Sequence, residues 1–117
     1  MKKIVRSLFS FSKPQVDVAF GGATLLARIN GIKLLSAPTG LDQATGKMLI
    51  IIPRRAGKAH DRNRIRRQIK AIFYGEQLFT TNATYIVLVY EQATGLTFDQ
   101  LKTFFCQSIK VVAQDKQ

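Results

Sequence analysis

The chain has no tryptophan, a single cysteine, a single histidine, three prolines and only seven acidic residues among its 117. Each shortage closes a route. Cys106 alone forms no internal disulfide, and it falls inside an apolar helical pattern where a buried free thiol is ordinary. The acids stand at positions 17, 42, 61, 76, 91, 99 and 115 without any metal-ligand spacing, so neither a protein metal site nor a catalytic carboxylate pair is expected. The longest aliphatic run, Met48 to Ile52, is far short of the roughly twenty residues that cross a bilayer. The opening MKKIVRSLFSFSKPQ is broken by Arg6, Ser7, Ser10 and Ser12, too interrupted for a signal peptide. The expectation is a soluble cytoplasmic protein with no membrane partner.

What the chain has in excess is positive charge. Lys and Arg number 18 against the seven acids, giving a formal net charge of +11 and a pI near 10.3, on a body that is 46% hydrophobic and long enough for one buried core. The excess is concentrated in RRAGKAHDRNRIRRQIK, residues 54 to 70, which holds eight basic residues and one acid, Asp61. A merely solvated face mixes signs, and this one does not. Repulsion among Arg62, Arg64, Arg66 and Arg67 raises the free energy of the isolated fold, so the cluster is read as the footprint of a polyanion that relieves it. Six of the eight cations are Arg, whose planar fork suits phosphate oxygens and base edges. We read the partner as RNA; no DNA partner is expected.

The residue pattern predicts an α+β chain with a flexible basic arm over 1–13 and a single RNA-binding domain over 14–117. Ser12 and Pro14 predict a short helix through Val16 and Phe20, ended by Gly21 and Gly22. Two β-like runs flank Asn30-Gly31, a two-residue hairpin signal, and PTGLDQATGK reads as a surface loop leading to a buried strand at Met48 to Ile52, stopped by Pro53. A helix is predicted from near Asp61, with that carboxylate as its cap and Ile65, Ile69, Ile72 and Phe73 on one face. ATYIVLVYE, residues 83 to 91, reads as a second buried strand. A capping box at Thr97 and Gln100 opens a last helix packed through Phe98, Leu101, Phe105, Ile109 and Val112.

Two catalytic readings are set aside. His60 beside Asp61 is explained by a helix start more simply than as an acid–base pair, since adjacent side chains rarely share a target. GKAHD lacks the second glycine and the Lys-Ser/Thr pair of a Walker loop. What remains is Gly57, a helix N-terminus, and Arg62 and Arg64 beside it, a combination suited to a phosphate.

The string IIIPRRAGKAHDRNRIRRQIKAIFY resembles the signature of bacterial ribonuclease P protein components: a buried strand, the basic pair Arg54-Arg55, the loop Gly57-Lys58-Ala59, and the triplet Arg62-Asn63-Arg64 followed by Arg66 and Arg67. His60, Ala71 and Val16 depart from the family pattern. The resemblance implies a two-layer α+β sandwich with a mixed, mostly antiparallel sheet and a left-handed βαβ crossover, against the usual right-handed rule. It implies an endoribonuclease whose catalyst is an RNA subunit using Mg²⁺, bound mainly by that RNA, to remove the 5′ leader of precursor tRNA. By the same resemblance Arg54, Arg55, Lys58, Arg62, Asn63, Arg64, Arg66, Arg67 and Lys70 grip the catalytic RNA, with Asn63 either bonding a base or phosphate or capping the helix. Phe20, Arg28 and Lys33 would meet the single-stranded leader in a cleft between the first helix and the sheet; Phe20 alternatively belongs to the core, and strand alternation decides whether Arg28 and Lys33 face the cleft. The competing readings are a structural RNA-binding protein of ribosomal type and a protein nuclease that acts alone.

Overall fold

A computed structural model describes residues 8–37, 46–81 and 83–115, without the side chains of 81 and 110–115. Strands β1 (Thr24–Ile29), β2 (Ile32–Ala37), β3 (Lys47–Ile51) and β4 (Thr84–Val89) form one sheet in the order β1-β2-β4-β3. The β1–β2 and β2–β4 pairs are antiparallel and β3–β4 is parallel. Helix α1 (Lys13–Gly21) precedes the sheet, α2 (Ala59–Gly75) connects β3 to β4, and α3 (Phe98–Asp115) follows. The mixed sheet with helices is the expected α+β architecture, and a parallel pair bridged by α2 is the βαβ unit that the resemblance implies. Among the described residues no helix is long and apolar enough to cross a membrane.

Period-two alternation assigns each strand residue to a face. Tyr85, Val87 and Val89 of β4, Ile32 and Leu34 of β2, and Met48 and Ile50 of β3 join the main core with Ile65, Ile69, Ile72 and Phe73 of α2 and Leu101, Phe105 and Ile109 of α3. Phe73 is its aromatic hub, meeting Phe9, Phe79 and Tyr85 edge-on at 5.7, 6.4 and 6.2 Å between centroids. The opposite face holds a smaller cluster, in which Ala19 of α1 covers Ala37 and Ile86 while Leu35, Leu49, Ile51 and Leu88 pack around them only partly buried. One face of the sheet is sealed and the other is thinly covered.

Local chemistry explains the element boundaries. Ser12 and Gln15 form a full capping box at the start of α1, with Pro14 in its first turn. Thr97 and Gln100 do the same before α3; of that helix's predicted apolar face, Val112 lies outside the described side chains. The hairpin closes through Asn30-Gly31, with Gly31 at φ 87°. Most of the PTGLDQATGK loop, residues 38–45, lies outside the described residues.

The arm expected over 1–13 is corrected at its inner end. Leu8 is fully buried in the main core, Phe9 packs against Phe73, and the Lys47 ammonium lies 4.5 Å from the centroid of the Phe11 ring. Full burial of a side chain such as Leu8 stabilises by about 1.5–3 kcal/mol, and the half-buried Phe9 and Phe11 add less. Residues 1–7 lie outside the described residues.

A Cβ at Gly31 would fall 2.2 Å from the Ala93 nitrogen, whereas one at Gly75 meets nothing within 4 Å. Gly31→Ala is therefore expected to destabilise by at least about 1–3 kcal/mol through backbone strain and collision. Gly75→Ala should be neutral or stabilise by roughly 0.4–1 kcal/mol. Urea unfolding of the two variants checks both; equal midpoints would show that the hairpin tip and the turn at Ala93 are not in tight contact.

Candidate nucleic-acid interface

The apolar stripe of α2 fixes which of its cations look outward. With Ile65, Ile69, Ile72 and Phe73 buried, a 100° step places His60, Asn63, Arg67 and Ala71 on the opposite side, and all four are exposed. The helix starts two residues earlier than the sequence predicts. Lys58 occupies the cap position with no side-chain acceptor, so Asp61 is a first-turn residue rather than the cap, and its carboxylate instead lies 3.9 Å from Arg64. That places the negative charge beside the positive end of the helix dipole, where it is favoured. The same start rules out the capping alternative for Asn63, which sits one turn inside the helix.

The predicted RNA-gripping residues divide into two groups. Arg54 and Arg55, on a 3₁₀ turn at Arg54–Ala56, together with Lys58 and Arg67, are exposed, and their side chains form no hydrogen bond or ion pair among the described residues. The others are oriented by neighbours. Arg62 Nε donates to the Gly57 carbonyl at 3.1 Å, Arg64 Nη2 donates to the Thr94 carbonyl at 3.0 Å, and Arg66 Nη1 donates to Asn63 Oδ1 at 3.0 Å. Lys70 lies 5.3 Å over the Phe9 ring. Gly57 at φ 150° turns the chain between the basic pair and α2, close against Thr94. All nine residues thus fall on one helix and the turn that leads into it.

The sheet register decides the position of the leader-binding candidates. Arg28 pairs with Lys33, Lys33 with Leu88, and Leu88 with Ile51, so these four form one cross-strand row on the thinly covered face, next to the row Leu25, Leu35, Ile86 and Leu49. A bulge between Leu25 and Ala27 is what keeps both Leu25 and Arg28 on that face. Arg28 and Lys33 are exposed, and Phe20 of α1 is 43% exposed, which removes the reading of Phe20 as an ordinary core residue. The result is a partly apolar floor edged by cations.

Three contributors escaped sequence reasoning. Tyr90 follows β4 with its ring under Lys33 Nζ at 5.6 Å, and with Arg28, Asn30 and Gln92 it lines a shallow recess of about 450 Å³ at the hairpin tip. Alternation beyond Leu88 was the available signal. Lys47, at the other end of the floor, is held below the usual lysine range by burial. Thr94 acts through its backbone carbonyl, which leaves no trace in residue type. Among the described residues no three His, Cys, Asp or Glu side chains converge.

Comparison with known proteins bears on the family and the fold. A family model described as Ribonuclease P matches residues 26–112. A ribonuclease P protein component from Onion yellows phytoplasma is 37% identical over 62 residues, which cover 52% of this chain and 44% of that protein; the match to its counterpart in Phytoplasma australiense covers 54% of that relative. The chain thus spans about half the length of the curated relatives it matches. A mutant RNase P protein from Staphylococcus aureus superposes with TM-score 0.78 at 14% identity, covering 95% of this chain and 92% of that one. The RNase P protein from Thermotoga maritima gives 0.71 at 17% identity, covering 88% and 96%. These structures share the fold, and since the family model covers most of the sequence, the chain belongs to the ribonuclease P family.

Proposed function

We propose that the chain is the protein subunit of ribonuclease P, an endoribonuclease that removes the 5′ leader from precursor tRNA in the cytoplasm. The observation that carries the reading is the predominantly basic surface of Arg54, Arg55, Lys58 and α2, broken by a single acid, Asp61, in a chain of this family. In this reading the surface docks on the catalytic RNA. Arg54, Arg55, Lys58 and Arg67 contact phosphates directly, and Arg66, set by Asn63, Lys70 and the remaining donors of Arg62 complete the contact. The chemistry would belong to the RNA: Mg²⁺ held by its phosphates, not by this chain, would supply activation of water and stabilisation of the leaving oxygen. The protein lowers repulsion between two polyanions and releases counterions as it binds.

The leader is proposed to run along the floor of Leu35, Leu49, Ile51 and Leu88. Bases pack on that apolar surface and on Phe20, while Arg28 and Lys33 meet the phosphates. Such contacts need no particular base sequence, which suits a segment that differs from one tRNA to another.

Purified protein is expected to cut precursor tRNA only when the catalytic RNA is added; cleavage by the protein alone would overturn the assignment. Replacing Arg54, Arg55 and Arg67 together with Ala should weaken binding to the catalytic RNA and flatten its log–log salt dependence by roughly 0.7–0.9 per lost phosphate contact. An unaltered slope would mean that these side chains face elsewhere. Phe20→Ala in the holoenzyme should weaken binding of precursor more than of mature tRNA, by about 1–3 kcal/mol if one base stacks on the ring. An equal loss for both would count against a leader contact.

A further inference from the structure

We propose that Arg64 is a positioning residue that joins the two RNA surfaces, rather than one more phosphate contact; the proposal rests on the function argued above. Its guanidinium is turned inward. Nη2 donates to the Thr94 carbonyl, thirty residues away, and Nε is buried without a partner. The side chain is only 34% exposed. Arg67, one turn along, has none of these ties and faces outward.

Thr94 belongs to the 3₁₀ turn Glu91–Gly95, which touches both surfaces. On one side its Cγ2 lies 3.2 Å from where a Cβ on Gly57 would stand, so it packs against the basic turn. On the other side Ala93 lies against Gly31, and the Tyr90 amide donates to the Gly31 carbonyl at 2.7 Å. Gly31 is the tip of the hairpin that carries Arg28 and Lys33. The turn is braced internally, by Ala93 N–H to the Tyr90 carbonyl at 3.0 Å and by the Thr94 hydroxyl to the Glu91 carbonyl at 2.9 Å. Arg64 therefore ties the helix that meets the catalytic RNA to a rigid turn that sets the hairpin beside the leader. A lysine in its place keeps the charge but loses the planar fork and the reach of the Nη2 donor.

The test compares Arg64→Lys and Arg64→Met with Arg67→Met, in the full chain and in the reconstituted holoenzyme. In the free protein, amide hydrogen exchange at Tyr90 and Ala93 should accelerate in both Arg64 variants and stay at the wild-type rate in Arg67→Met. In the holoenzyme, the ratio of precursor to mature tRNA affinity should fall by roughly 2- to 30-fold in both Arg64 variants. The salt slope for the catalytic RNA should flatten only in Arg67→Met. If Arg64→Lys matches wild type in exchange and in ratio while Arg64→Met flattens the slope, Arg64 is an ordinary phosphate contact and the proposal fails. Should Arg64→Met not fold, Arg64→Lys alone decides between these outcomes. If wild type itself shows no preference for precursor, the function argued above fails and coupling between RNA surfaces falls with it, whereas the exchange measurement still reports on the tether.

Discussion

A ridge of like charges has to be held in place by something other than charge. On α2 that something is the stripe of Ile65, Ile69, Ile72 and Phe73, each no more than 2% exposed. Burial of four such side chains contributes on the order of 1.5–3 kcal/mol apiece. Repulsion between neighbouring exposed cations is about 1 kcal/mol or less per pair in water and is further screened by salt. The apolar stripe wins, and the helix keeps its shape although only Arg64 among its cations has an anionic partner among the described residues. The repulsion that remains is relieved when a polyanion arrives, so the strain of the free protein becomes part of the binding free energy.

The same bias of packing towards one side of the sheet leaves the other side open. β4 lies in the middle of the sheet and is buried along nearly its whole length, yet its two faces have different neighbours. α2 and α3 cover Tyr85, Val87 and Val89 completely, while the nine-residue α1 covers Ile86 and leaves Leu88 partly bare. A sheet face that is apolar, incompletely covered and edged by Arg28, Lys33 and Lys47 is unsuited to remain as core. It suits a ligand with flat apolar parts and a charged backbone.

Much of this was legible in the sequence because it depends on local rules. Alternation gave the strands, Asn30-Gly31 gave the hairpin, the 3.6-residue period gave the buried stripe of α2, and Thr97 with Gln100 gave the start of α3. The misses share a cause, which is that tertiary contact overrode the local signal. Asp61 looked like a cap because caps are usually acidic or hydroxylated, but packing of the Gly57 turn against Thr94 lets the helix begin at Ala59 on an uncapped Lys58. Leu8, Phe9 and Phe11 looked like parts of a mobile arm because serines interrupt them, and only the presence of Phe73 and Lys47 nearby shows what they cover. The facing of Arg28 needed the bulge at Leu25, which shifts register by one residue and inverts any assignment made by simple counting.

Strand direction explains why both surfaces meet at one end of the molecule. Because β3 and β4 are parallel, the chain leaves both at the same end, so Arg54-Arg55 and Tyr90 emerge side by side. Because β2 runs against β4, its first residue Ile32 pairs with Val89 at that same end, and the Asn30-Gly31 turn is brought there too. An all-antiparallel sheet with β3 reversed would send the basic turn to the opposite end, some five residues of strand away. The parallel pair is costly in chain, since it needs the whole of α2 as a crossover. That crossover is itself the basic helix, so the segment required by the topology and the segment that carries the charge are one and the same.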